Sequence, residues 1–167
     1  MIKRILLTFM TLLSIYSFSA AVYRIFEPTN IREEANASSY INYNSLREYI
    51  LSQGDKTANI FFFYSSLDDN CIYVKNTIMH SVEKETGIDL EDIIDIVDIT
   101  ELEKNMTTNR ITAEWGIHTW PAFLCASADG QNITVTKPLE WNPSSPMTAS
   151  DLEQWMSENG LSLQEKK

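Results

Sequence analysis

"FFFYSSLDDNCIYVKNTIM", residues 61–79, decides how this chain is read. It begins inside "NIFFFYSS" (59–66), a continuous apolar run of strand length. Such a run belongs in the middle of a sheet, covered on both faces. A short polar turn follows. Beyond it Cys71, Val74, Ile78 and Val82 recur at helical steps, with Ile72 and Met79 beside them. That spacing predicts a helix with an inward stripe, closed by Gly87.

Upstream, "NSLREYILSQG" (44–54) reads as a short helix, with Asn44 or Ser45 as cap and Gly54 as stop. Downstream, "IIDIVDI" (93–99) is a second strand of branched residues. "TELEKNMTTNRITAEWG" (100–116) predicts one helix, with Thr100 capping and Glu103 completing a capping box. "PAFLCAS" (121–127) and "NITVTK" (132–137) are strands, and Asp129-Gly130 between them signals a hairpin. "SSPMTASDLEQWMSENG" (144–160) closes the chain's body with a helix. Ser150 and Glu153 form its expected capping box, and Leu152, Trp155 and Met156 its inner face. A strand–helix–strand crossover requires a parallel pair, and the closing hairpin adds antiparallel strands. The pattern predicts an α/β protein with a mixed sheet flanked by helices.

Two stretches resemble the thioredoxin-like superfamily, and with their flanks the resemblance spans residues 43–161. "IFFFYSSLDDNCIYVKNTI" (60–78) is similar to that family's strand, active-site turn and long helix. "AEWGIHTWPAFLCASADG" (113–130) is similar to the segment where a helix ends in an aromatic-Gly-Ile and runs through a cis-proline into a strand. Pro121 takes the cis-proline position, with Trp120 before it. Asp68-Asp69-Asn70-Cys71 stands where the family carries Cys-x-x-Cys. The resemblance implies a degenerate site: Cys71 falls on the resolving cysteine, and Asp68 holds the place of the attacking one. The acid often buried beneath such sites would fall near Phe62. Disulfide exchange needs two thiols that can meet, and this motif supplies one. A peptide-binding groove is implied around Leu67, Asp68, Asp69, Asn70, Trp120 and Pro121.

The remaining residues narrow the chemistry. Cys71 is the one catalytic candidate, as a single reactive thiol; the competing reading is a structural cysteine on the inward stripe. Cys125, four residues past Pro121, would lie about 13 Å along its strand, beyond the roughly 7 Å Cα separation a disulfide tolerates. It reads as a core residue. His80 sits too far down the helix from Asp68 and Asp69 to share an ion with them, so no metal site and no cofactor are expected. His118 borders the groove without a visible nucleophile. Trp115 and Tyr64 read as core aromatics. The formal net charge of −10 disfavours nucleic-acid partners, and the groove that the resemblance implies makes a protein or peptide the expected one.

"MIKRILLTFMTLLSIYSFSAAVYRIFEP" opens with Lys3 and Arg4, then a charge-free apolar run from Ile5 to Tyr23. At about 1.5 Å per residue this run approaches the thickness of a bilayer core. Residues 5–23 are expected to enter the membrane as an uncleaved anchor, with a cleaved signal peptide as the alternative. The division expected is anchor or signal peptide (1–25), spacer (26–42), thioredoxin-like domain (43–161) and polar tail (162–167). Either way the domain leaves the cytoplasm, towards a bacterial cell envelope. Asn36, Asn105 and Asn132 stand in Asn-x-Ser/Thr patterns that chance alone produces in such a chain. The function expected is a membrane-tethered, non-exchanging domain that binds a protein partner. The alternative is a single-thiol redox or isomerase protein, similar to the accessory proteins of bacteriocin export.

Overall fold

The computed structural model describes residues 40–161. The anchor or signal peptide, most of the spacer with Asn36, and the polar tail lie outside the described residues. Among those described, no helix is long and apolar enough to cross a membrane.

The aromatic run forms strand β2, Ala58–Tyr64, at the centre of the sheet. The preceding elements are a two-residue strand β1, Ile41–Asn42, and helix α1, Leu46–Ser52. On one side β2 pairs in parallel with β3, Ile94–Asp98; on the other it pairs antiparallel with β4, Ala122–Asp129. β1 lies parallel to β3 at one edge. The far side of β4 is shared by β5, Asn132–Val135, and β6, Leu139–Glu140.

Phe61, Phe62 and Phe63 are all fully buried, although alternate side chains of a strand point to opposite faces. Both faces are therefore covered. Phe62 stacks on Phe123 of β4 with ring centroids 4.6 Å apart. Its cluster also takes Val74, Ile78 and Val82 from the helix after the turn, and Leu152 and Met156 from the closing helix. On the opposite face Tyr49 of α1 packs edge-on against Phe61.

The helix after the turn runs as α2, Asp69–Tyr73, a π-helical segment, Val74–Met79, and α3, His80–Thr86. Gly87 ends it in the left-handed conformation, at φ +70°. The predicted stripe is buried, and the wider π turn brings Met79 into it alongside Ile78. Ile72 is a correction: it stands at the surface.

Four further expectations are corrected. First, Ile41 and Asn42 belong to the sheet and not to the spacer; two residues show no periodicity by which to read a strand. Second, residues 100–116 fold as two helices, α4, Thr100–Lys104, and α5, Asn109–Trp115. The Thr107 N–H donates to the Leu102 carbonyl across Met106, which takes φ +53°. This is the closure of a helix C-terminus usually marked by glycine, written here with methionine. Thr100 is the first residue of α4 and not its cap; Ile99 holds the cap position, and Asp98 Oδ1 accepts from the Thr100 N–H at 2.9 Å. Third, "NITVTK" is a strand only to Val135, and the unanticipated β6 follows.

The fourth correction concerns the closing helix, α6, Ala149–Glu158. It is capped by Thr148 with Asp151 and not by Ser150 with Glu153. Met147 before the cap and Leu152 after it are both buried in the same cluster, a hydrophobic staple that sets the cap two residues earlier.

Because Phe62 is packed on every side, Phe62→Ala should lower unfolding stability by about 4 kcal/mol. Val135→Ala, on the half-exposed edge strand, should change it by less than about 0.5 kcal/mol. Urea denaturation of the two variants checks the contrast.

Candidate functional site

The site forms where β2 ends. The Tyr64 carbonyl accepts from the Ile99 N–H beyond β3 at 2.9 Å, fixing the strand end. Ser65, fully buried, turns the chain: its Oγ accepts from the Leu67 N–H at 3.2 Å. The Ser66 N–H donates to Thr100 Oγ1 at 3.0 Å. Asp68 then takes an extended conformation as the N-cap of α2. Its Oδ1 accepts from the N–H groups of Asn70 at 2.7 Å and Cys71 at 3.2 Å. The carboxylate thus satisfies two of the donors that a helix start leaves unpaired. Asp69 is exposed, and Asn70 half-buried.

Cys71 is fully buried in the first turn. Burial pushes its thiol up to about 12, and the carboxylates of Asp68 and Glu103 add to this, against an opposing backbone hydrogen bond from Ser65. At neutral pH Cys71 holds its proton and is a poor nucleophile. Cys125 is also a buried free thiol, its pKa raised by burial. It pairs across from Ile60, four residues before the end of β2, so about 13 Å of strand separates it from the turn.

The second half of the site is the loop between α5 and β4. Gly116, left-handed at φ +71°, ends α5. The N–H groups of His118 and Thr119 both donate to Glu140 Oε2 at 2.8 Å. Thr119 Oγ1 donates to the Trp141 carbonyl at 2.7 Å, and the Trp141 N–H to the Pro121 carbonyl at 2.9 Å. The Trp120–Pro121 peptide is cis. Pro121 is buried, Trp120 half-buried and the His118 side chain exposed.

Glu103 joins the two halves. Ser65 Oγ donates to its Oε2, and Trp120 Nε1 donates to its Oε1 at 2.5 Å. Glu103 therefore ties the turn that carries Leu67 to Asn70 to the loop that carries Trp120 and Pro121. Four contributors escaped the sequence reading, namely Glu103, Glu140, Tyr73 and Trp141. Tyr73, 45% exposed on α2, meets Trp141 edge-on with centroids 6.3 Å apart. Leu67 on the turn is 58% exposed, whereas Pro121 is buried and Trp120 half-buried.

The other candidates fall elsewhere. His80 is exposed and lies 3.4 Å from Glu83. Trp115 is in the core, whereas Tyr64 is only half-buried and stacks on Tyr40 with centroids 5.7 Å apart. Among the described residues, no group of three or more His, Cys, Asp or Glu is placed to hold a metal ion.

The chain matches no protein-family model and no curated protein. Among solved structures it is similar to Trichomonas vaginalis thioredoxin, with 13% identity over 72% of this chain and 97% of that one, at a TM-score of 0.45. It is similar also to the C-terminal domain of Neisseria meningitidis DsbD in the oxidised form: 14% identity, 70% and 91% coverage, TM-score 0.44. For Plasmodium falciparum thioredoxin the values are 13%, 70%, 81% and 0.44. The architecture is a parallel β2–helix–β3 crossover, an antiparallel β4–β5 hairpin and a closing helix around one mixed sheet. Its two cysteines are not spaced as Cys-x-x-Cys.

Two outcomes follow from this geometry. Glu103→Ala strips the buried Ser65 hydroxyl and the Trp120 indole N–H of their acceptor, and should cost about 1–3 kcal/mol in urea denaturation. The second concerns pH. Below about 8.5, the reference for an unfolded thiol, both states keep the Cys71 proton; above it the unfolded chain releases the proton and the folded one retains it. Cys71 therefore stabilises the fold at low pH, and its contribution is lost as pH rises towards about 12. Unfolding free energies measured from neutral to alkaline pH should fall less steeply for Cys71→Ser than for the native chain.

Proposed function

We propose that this chain is an extracytoplasmic thioredoxin-like domain without dithiol–disulfide exchange activity, tethered to the membrane through residues 5–23. It binds a protein or peptide partner in the groove between the Leu67–Asn70 turn and the Trp120–Pro121 loop. One observation carries the reading. The position that would carry an attacking thiol holds Asp68, whose carboxylate is engaged as helix cap, and the thiol three residues on is fully buried. A capping carboxylate keeps the architecture of the turn and removes the nucleophile.

Two features support binding over catalysis. Leu67 and Tyr73 leave large apolar side chains in water beside the turn, which costs solvation free energy unless a partner covers them. Among the described residues, neither the backbone N–H nor the backbone carbonyl of Trp120 makes a backbone hydrogen bond. An unpaired backbone segment beside a sheet is a template for an extended peptide. Membrane tethering rests on the flanking charges and apolar length of residues 5–23.

The test is alkylation of Cys71 in the full chain, with Cys125→Ser isolating the signal. Modification should be slow across neutral pH and should accelerate only when urea unfolds the protein. Fast alkylation of the folded chain, titrating below about 8.5, would restore the single-thiol enzyme and sink the non-catalytic reading.

A further inference from the structure

Charge is distributed unevenly around the groove. The turn, the start of α4 and the segment through β6 bring Asp68, Asp69, Glu101, Glu103 and Glu140 to one end of the sheet. The lysine among them, Lys104, pairs with Glu101 at 2.7 Å. Among the described residues, no cation pairs with Asp68, Asp69, Glu103 or Glu140. His118 is the remaining titratable group on the loop. The Asp69 carboxylate makes no hydrogen bond among the described residues, and it sits one helical turn before Tyr73, so the two share a face. Asp68 uses Oδ1 for both of its cap bonds, leaving Oδ2 without a protein donor.

Resting on the groove reading above, we propose that the occupant is a cationic peptide segment in extended conformation, with Arg or Lys flanking aliphatic or aromatic residues. Its apolar side chains cover Leu67 and the Tyr73–Trp141 pair, and its cations meet Asp68 and Asp69. Charge complementarity selects this partner: an acidic segment would be repelled by every unpaired carboxylate along the rim. Arginine suits the site better than lysine, because its planar guanidinium stacks on aromatic rings while hydrogen-bonding a carboxylate.

The experiment uses fluorescence anisotropy with the full chain and three labelled peptides that differ in their alternate positions: Arg-Leu-Arg-Trp-Arg, Ser-Leu-Ser-Trp-Ser and Glu-Leu-Glu-Trp-Glu. The arginine peptide should bind tightest, the glutamate peptide weakest, and the difference should shrink at high salt. Asp69→Lys should weaken the arginine peptide by roughly fivefold or more and leave the serine peptide unchanged. Trp141→Ser should weaken both. If the arginine and serine peptides bind equally and respond alike to Trp141→Ser, the cationic preference is overturned while the groove reading stands. If no peptide binds, both fall.

Discussion

A single carboxylate decides whether the two halves of this site meet. Glu103 accepts from Ser65 on one side and from Trp120 on the other, so the turn after β2 and the loop before β4 share one acceptor group. Both donors are substantially withdrawn from water, and a buried donor without an acceptor costs more than the bond itself contributes. The requirement is mutual. The turn holds Ser65 where Glu103 can reach it, Asp98 accepts from the Thr100 N–H and leaves Glu103 free of its own helix start, and the loop presents the Trp120 indole. Each local conformation is thus justified by a bond made elsewhere in the chain.

The Asp68 cap at the head of α2 has the same economy. A helix start demands acceptors for its N–H groups, and a carboxylate meets that demand with a bond strengthened by charge and by the helix dipole. A thiol there would gain reactivity at the expense of capping. With Asp68 in place, Cys71 is left as a buried, protonated side chain within the packing of the turn. Under the proposed reading, the charge of Asp68 also bears on which peptides the turn attracts.

Much of this was legible in the chain itself. The aromatic run, the Asp-Asp-Asn-Cys turn, the inward stripe and the Gly-Ile…Trp-Pro segment are local signals, each written within a few residues. Glu103 was misread because Thr-x-x-Glu is a correct local pattern for a capping box. Long-range bonds to Ser65 and Trp120 outcompete the local one, and no local rule reports that competition. The same applies to Trp141, whose partners Tyr73 and Pro121 are remote in sequence. Strands β1 and β6, at two residues each, are too short to carry a period. Met106 concealed a helix end because it adopts the conformation that glycine usually announces.

The brevity of the outer strands has a consequence for how the protein behaves in a crowd. A sheet polymerises through its margins, where a row of unsatisfied amides invites another copy. Here one margin is the two-residue β1, and the other is divided between the four-residue β5 and the two-residue β6. Among the described residues neither margin offers a long run of unpaired amides, and Lys137 interrupts the second between its two parts. Copies of this domain can therefore stand side by side at high density without stitching their sheets together.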